Sequence, residues 1–276
     1  MTPSVPPPVP QEASLDRLFP HPATSLTDTQ LLAAYGYDDG PVQVTETEAE
    51  TAGRNLRAWV RFNFVSSVDG SATRGGLSGS LGDAADHRVF ALLRRMTDVI
   101  LVGAGTVRAE GYSGPLVSAT DQQWRAARGL PPHPAVAYVS GSLDLDPDGG
   151  LFAQAPVRPL IFTAADADPA RRRALSQVAD VVSAGDSHVR PEAVRAELVA
   201  RGLASVLCEG GPRLLGSFQA AGAVDELCLT LAPVLAGGTG PRISAGAPEA
   251  AAGLQLRHVL RSGSTLLLRY VRPAPE

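Results

Sequence analysis

Lysine is absent from this sequence, and all 24 of its basic residues are arginine. The absence excludes two classes of enzyme. A P-loop needs a lysine that reaches the phosphates of its nucleotide, and Schiff-base or pyridoxal-phosphate chemistry needs a lysine amine. We attribute the missing lysine to compositional bias of the genome.

Cysteine is scarce, and long apolar runs are missing. The two cysteines, Cys208 and Cys228, lie in strand-like apolar segments, which predicts buried free thiols and a cytoplasmic location. No C-x-x-C or H-E-x-x-H motif occurs, so we expect no metal site. A formal net charge of −4 does not favour binding to the negatively charged backbone of a nucleic acid. Because no run approaches the roughly 20 apolar residues that span a bilayer, we expect no membrane contact either.

The chain divides by composition into three parts. Residues 1–26 are rich in proline, which disfavours a helix or a central strand and predicts a mobile arm. Residues 27–56 begin with Thr27-Asp28-Thr29-Gln30, a capping box that predicts a short helix in an N-terminal extension. In residues 57–276, apolar strand-like runs alternate with helical patterns, which predicts an α/β domain with a mostly parallel central sheet flanked by helices.

The pattern also places the individual elements of this domain. Strands are predicted at 58–68, 99–102, 135–139, 160–162, 181–182, 205–208 and 227–234, and helices at 84–96, 191–201 and 212–222. The runs 254–260 and 265–271 predict an antiparallel hairpin at the edge of the sheet. Since Leu266-Leu267-Leu268 is unusually apolar for an edge, we expect that edge to pair with a second copy of the chain.

Two glycine-rich turns follow buried strands and point to a ligand site. The first runs from Val99 through Gly103-Ala104-Gly105-Thr106 into a helical pattern. Glycine lets a ligand approach the backbone, and free N–H groups at a helix N-terminus attract phosphate. The dinucleotide fingerprint is incomplete, because Arg108 stands at the position of its third glycine. A tight strand–helix turn without a ligand explains the motif equally well.

The second turn adds a carboxylate, and a third motif is less specific. Glu209 ends a buried strand and precedes Gly210-Gly211-Pro212. A buried carboxylate at the end of a strand is costly unless it has a partner. Ligand crevices lie at such strand ends. The third motif, Phe64–Gly70, closes on Asp69-Gly70, which alone predicts only a turn.

Together these motifs resemble the reductase domain of the deaminase–reductases of riboflavin biosynthesis. The resemblance rests on Phe62–Gly70, Leu101–Tyr112 and Leu207–Gly240. It implies a dihydrofolate-reductase-like fold, a homodimer and NADPH as cofactor. The implied reaction reduces a small-molecule substrate, 5-amino-6-(5-phosphoribosylamino)uracil, at its ribosylamino group.

The resemblance also assigns site residues by position. It places NADPH against Val65, Gly103, Gly105, Thr106, Glu110, Ser140, Gly210, Gly211, Pro212, Arg213, Leu214 and Leu215. It places the substrate against Asp69, Ser78, Arg94 and Glu209. We expect Glu209 to serve catalysis by orienting the pyrimidine through two N–H groups, and Arg94 to pair with the substrate phosphate. The segment Ser140–Asp144 contains no arginine for the 2′-phosphate of NADPH.

Two departures from the family pattern leave alternatives open. The signatures of the companion deaminase are absent. Ser71 stands where the family usually has a basic residue near the substrate, which leaves room for another substrate. A dihydrofolate or dihydropterin reductase is therefore the alternative, since it needs the same fold, cofactor and C=N chemistry. A nucleotide-binding protein without catalysis is the second alternative.

Overall fold

A computed structural model describes residues 13–36 and 57–273. The strands are β1 (Asp16–Phe19), β2 (Trp59–Ser67), β3 (Val99–Gly103), β4 (Ala135–Val139), β5 (Leu160–Thr163), β6 (Asp180–Ser183), β7 (Ser205–Cys208), β8 (Glu226–Ala232), β9 (Gln255–Ser262) and β10 (Thr265–Val271). The helices are α1 (Asp28–Ala34), α2 (Ala84–Met96), α3 (Ala104–Glu110), α4 (Ala119–Ala126), α5 (Gly150–Ala153), α6 (Pro169–Leu175), α7 (Pro191–Ala200) and α8 (Pro212–Ala220). Among the described helices, none is long and apolar enough to cross a membrane.

The ten strands form one sheet in the order β1-β9-β10-β8-β2-β7-β3-β4-β5-β6. The seven strands from β8 to β6 are parallel to one another, whereas β10, β9 and β1 are joined to them by antiparallel pairs. The fold class predicted from the alternating pattern is therefore confirmed. The mixed sheet carries its antiparallel strands at one side only.

Alternate side chains of the central strands pack into two hydrophobic cores, one on each face of the sheet. Leu101 of β3 packs on one side of the sheet with Leu198 and Phe218, from α7 and α8. Ile100 and Val102, its neighbours in β3, face the opposite core. This follows from the two-residue period of a strand, and each such side chain contributes about 1.5–3 kcal/mol by its burial. Helices on both faces of a parallel sheet explain why its central strands are apolar throughout.

The N-terminal segment differs from the prediction of a mobile arm over residues 1–26. Residues 13–26 belong to the fold: Leu15 is fully buried, and β1 pairs with β9. An edge strand tolerates nearby proline, because only one side of its backbone must pair. The predicted capping box at Thr27 is confirmed, and it starts α1. Our expectations for residues 1–12, 37–56 and 274–276 lie outside the described residues.

A buried cluster of charge fastens the end of α1 to the sheet. Glu226 accepts from Arg61 Nε at 2.7 Å and from Arg269 Nε at 2.9 Å. Burial alone would raise the pKa of Glu226, but the two guanidinium groups outweigh it and hold that pKa below its usual value. The same arginines donate to the backbone carbonyls of residues 34–36 at 2.6–2.7 Å. They thereby satisfy carbonyls that the helix end leaves without partners.

The expected edge position of the C-terminal hairpin is wrong. Strand β10 lies inside the sheet between β8 and β9, and β9 is covered in turn by β1. The apolar run Leu266–Leu268 therefore reflects a paired strand and leaves no free edge. Three short helices, α4, α5 and α6, were not predicted, because segments of four to eight residues are too brief to show a helical period.

Candidate active site

A cleft of about 860 Å³ opens where β2, β7, β3 and β4 end. Its volume falls in the range of small-molecule and cofactor sites. It lies outside the carboxyl ends of parallel strands, at the point where β7 inserts between β2 and β3 and the strand order changes direction. Open α/β sheets bind ligands at such points.

The two glycine turns meet at the floor of this cleft. Gly103 donates its N–H to the carbonyl of Gly210 at 2.7 Å. A Cβ added to Gly103 would lie 3.3 Å from the nitrogen of Gly211, and one added to Gly211 would lie 2.5 Å from the hydroxyl of Thr106. The two turns therefore pack against each other and leave little room for a side chain at either glycine. Gly105 differs from them, since a Cβ there meets nothing within 4 Å and faces open space.

Unsatisfied polar groups line the cleft beside these turns. Helix α8 begins after Gly211, and α3 begins after Gly103, and neither first turn is capped by a side chain. Uncapped N–H groups at helix starts favour an anionic ligand. The hydroxyl of Ser140, at the end of β4, is buried without a hydrogen-bond partner. Because buried polar atoms are normally paired, this hydroxyl fits a ligand that supplies its partner.

Glu209 lies at the centre of a buried cluster. Its carboxylate accepts from Arg94 Nε and Nη2, each at 2.7 Å, and from the hydroxyl of Tyr112 at 2.8 Å. The guanidinium of Arg94 also lies 4.2 Å from the centre of the Phe90 ring. Burial alone would lower the pKa of Arg94, but Glu209 raises it above its usual value. Burial and the neighbouring Glu209 raise the pKa of Tyr112, which keeps its hydroxyl a donor.

The members of this cluster are not independent of one another. The resemblance implies that Glu209 faces the pyrimidine and Arg94 the substrate phosphate, and both roles stay predictions. The structure pairs the two side chains with each other, and both carboxylate oxygens are engaged. Separating such a buried pair would cost on the order of 3–5 kcal/mol.

A second pair ties the glycine-rich loop before α2 to α3. Glu110 accepts from the N–H and from the hydroxyl of Ser78, both at 2.8 Å. Both residues line the cleft. Ser78, which the sequence alone marked only as part of a flexible loop, is thus held at the cleft by a carboxylate 32 residues away.

Asp69 does not line the cleft, contrary to expectation. Its carboxylate accepts from the N–H groups of Ala236 and Gly237 at 3.0 and 2.7 Å. The Ser67 hydroxyl and these two N–H groups lower the pKa of Asp69 to about 2. Asp69 therefore joins two loops. The hydroxyl of Ser71 likewise serves the loop, since it donates to the carbonyl of Thr73 at 2.7 Å.

Most of the other assigned residues do come together. Those that line the cleft are Val65, Ser78, Arg94, Gly103, Gly105, Thr106, Glu110, Ser140, Glu209, Gly211, Pro212, Arg213 and Leu214. Gly210 and Leu215 lie behind this lining, and Leu215 packs in the core. Their contacts with a ligand stay predictions.

Sequence reasoning missed several lining residues. Tyr112 left no local signal, because only the fold brings it to Glu209. Asp86 and Phe90 also line the cleft, and the sequence carries a signal for them, because they precede the predicted site residue Arg94 at four-residue intervals on α2. Within residues 13–36 and 57–273, no group of three His, Cys, Asp or Glu side chains is arranged to hold a metal ion.

Comparisons with known proteins agree with this architecture. Residues 58–268 match the family model described as the RibD C-terminal domain. A 2,5-diamino-6-ribosylamino-4(3H)-pyrimidinone 5′-phosphate reductase of Archaeoglobus fulgidus is 28% identical over 186 residues, which cover 66% of this chain and 84% of that protein. The riboflavin biosynthesis protein RibD of Mycobacterium tuberculosis is 30% identical over 201 residues, 68% of this chain and 49% of that protein. The crystal structure of a pyrimidine reductase-like protein of Corynebacterium diphtheriae superposes with a TM-score of 0.71 at 27% identity, covering 79% of this chain and 93% of that one.

Proposed function

Because the chain belongs to the family of RibD C-terminal domains, we propose that it is an NADPH-dependent reductase of a phosphoribosylaminopyrimidine in riboflavin biosynthesis. The observation that carries this proposal is the single cleft that joins two glycine turns to a buried Arg94–Glu209–Tyr112 cluster. One part suits the phosphates of a dinucleotide, and the other suits a polar heterocycle. The substrate implied by the resemblance is 5-amino-6-(5-phosphoribosylamino)uracil.

The residues of the cleft fit NADPH along its length. The uncapped starts of α3 and α8 suit the pyrophosphate. The unpartnered hydroxyl of Ser140 marks the end of the cleft at β4, and Val65 lines it at β2. NADPH, when bound, supplies the hydride for the reaction. The protein's part is to hold the two reactants together and to keep water out.

Two arginines support NADPH over NADH. No arginine occurs within Ser140–Asp144, but the fold brings two from other helices. Arg108 Nη1 donates to the carbonyl of Asp144 at 2.7 Å, and Arg171 Nη1 donates to that of Ser142 at 3.1 Å. Both guanidinium groups also lie within 4 Å of the Asp144 carboxylate. A 2′-phosphate at this end of the cleft would meet positive charge.

The buried cluster suits a positioning role. Reduction of the ring-opened ribosylamine adds hydrogen to the C=N carbon and a proton to its nitrogen. Glu209 holds Arg94 and Tyr112 in fixed orientations. The remaining N–H groups of Arg94 and the hydroxyl oxygen of Tyr112, whose proton is donated to Glu209, form a rigid polar wall for the substrate. We infer that Glu209 serves turnover through these two side chains.

A half-exposed apolar face supports a homodimer. Leu227, Leu229 and Leu231 of β8 alternate with buried residues, as do Leu266 and Leu268 of β10. The register sets Leu268 opposite Leu229, which makes the face continuous. The other side of these strands packs against α1 and α2. We propose that a second copy covers this face.

The two buried free thiols support a cytoplasmic location.

Steady-state oxidation of NADPH tests the assignment. The protein is expected to oxidise NADPH with a phosphoribosylaminopyrimidine and to leave dihydrofolate unreduced. Dihydrofolate reduction without pyrimidine turnover would overturn the proposal and favour the alternative. Tight NADPH binding with no turnover of any of these compounds would favour a protein without catalysis.

A further inference from the structure

Asp86 is a buried carboxyl in the cleft that none of the roles above uses. It is 9% exposed and occupies the third position of α2. Phe90 and Arg94 follow it at four-residue intervals, so the three side chains share one face of the helix, over about 12 Å. All three line the cleft. One side of the cleft therefore presents in order the carboxyl of Asp86, the ring of Phe90 and the Arg94–Glu209 pair.

Unlike Glu209, Asp86 forms no ion pair with an arginine among the described residues, and the charged group that lowers its pKa is His87. The side chain of Thr230 of β8 lies close enough to Asp86 to lower its pKa. No arginine lies within ion-pair distance of Asp86 in the part of the chain that the structure describes. Burial raises the pKa of Asp86, and Thr230 and His87 offset this only in part. A carboxyl at the third position stabilises the start of a helix, but an exposed aspartate would serve equally well. The burial of Asp86 in the cleft remains to be explained by a ligand.

We propose that Asp86 binds the pyrimidine ring of the substrate and selects a 2-amino-4-oxo ring over a uracil ring. A 2-amino-4-oxo ring carries two adjacent donors, the 2-amino group and the N3–H. A carboxylate accepts both in a bidentate, charge-assisted arrangement. A uracil ring has a carbonyl oxygen at C2, which would face one carboxylate oxygen and leave it unpaired.

The neighbouring side chains fit this placement. Phe90 offers an apolar face on which a heterocycle stacks. Glu209 cannot make the same contact without releasing Arg94 or Tyr112, whereas Asp86 needs no such rearrangement. The inference rests on the proposed function, and it replaces the uracil implied by the resemblance with a 2-aminopyrimidinone. The A. fulgidus reductase is named for a substrate with such a ring.

Equilibrium titration and kinetics together test the role of Asp86. Calorimetry on the cofactor-free protein would measure Kd for two probes, 2,5-diamino-6-ribosylamino-4(3H)-pyrimidinone 5′-phosphate and 5-amino-6-(5-phosphoribosylamino)uracil. The wild type is expected to prefer the first by on the order of 10- to 100-fold. Asp86→Asn is expected to invert the preference, because its amide donates to the C2 oxygen and accepts from N3–H. The ratio of kcat/KM for the two probes should move in parallel.

Thr230→Val and cofactor affinity serve as controls. Thr230→Val removes the hydroxyl beside Asp86 and should reduce the preference without inverting it, so it decides the matter if Asp86→Asn fails to fold. NADPH affinity should stay within about twofold in folded variants. Equal binding of the two probes by the wild type, or equal loss of both in Asp86→Asn, would overturn the role of Asp86. Selective binding of the first probe without turnover would overturn the proposed reductase function and uphold the role of Asp86. Binding of neither probe would overturn both the proposed function and the role of Asp86.

Discussion

Removing the side chain of Arg94 should destabilise the protein strongly. Arg94→Ala deletes both guanidinium bonds to Glu209 and leaves one carboxylate oxygen without a partner, since Tyr112 reaches only the other. Two hydrogen bonds to a charged group, at about 1.5–3 kcal/mol each, give a loss of about 3–6 kcal/mol. This agrees with the roughly 3–5 kcal/mol expected for breaking a buried ion pair. At about 2–4 °C per kcal/mol for a domain of this size, the Tm should fall by about 6–24 °C.

Urea unfolding with a double-mutant cycle measures this loss. Glu209→Gln removes the stranded charge, so the double variant should lose less than the sum of its single variants, by at least about 1 kcal/mol. Arg201→Ala is the matched control. Its ion pair with Glu197 is about one third exposed on each side, and removing it should cost under about 1 kcal/mol. If Arg94→Ala loses no more than that control, Glu209 is not held as described and its positioning role fails.

Four further predictions concern other parts of the molecule. Gly105→Val should abolish NADPH binding and keep the wild-type Tm, because a side chain there meets only open space in the protein; unchanged affinity in a fluorescence titration would move the cofactor elsewhere. Arg108→Ala should lower the preference for NADPH over NADH by about tenfold or more in the same titration, and an unchanged ratio would remove Arg108 from 2′-phosphate recognition. Leu268→Asp should turn a homodimer into a monomer by light scattering, whereas a wild-type monomer at micromolar concentration would refute the interface. Cys208 and Cys228 should resist alkylation at pH 8 until urea unfolds the chain, since burial raises the pKa of both thiols, and rapid labelling of the native protein would contradict their burial.

Much of the fold could be predicted because its signals are local. The helix over 84–96 and the strands over 135–139 and 205–208 have the predicted bounds, since periodic apolar residues and turn residues mark them directly. The glycine turns were found for the same reason. Strand β1 was missed because prolines nearby suggested a disordered segment and only β9, far along the chain, makes it a strand.

The site was harder to predict, because its key contacts join distant residues. Arg94 and Glu209 are 115 positions apart, and Tyr112 is 97 positions from Glu209. Each residue type was plausible alone, but nothing local shows that they satisfy one another. Asp69 shows the same difficulty: its Asp-Gly motif is plain in the sequence, but its carboxylate accepts from residues 167 and 168 positions away and joins two loops.

The pairing of β1 with β9 fixes an order of assembly during synthesis. Asp16 and Arg261 face each other across this pair, 245 positions apart. At about 5–20 residues per second on the ribosome, β1 waits about 12–50 s for its partner. The seven parallel strands are complete once residue 232 has emerged, so they form before the hairpin that receives β1. Through that interval Leu15 and Leu31 lack the surfaces of β9 and β10 against which they are buried in the finished fold.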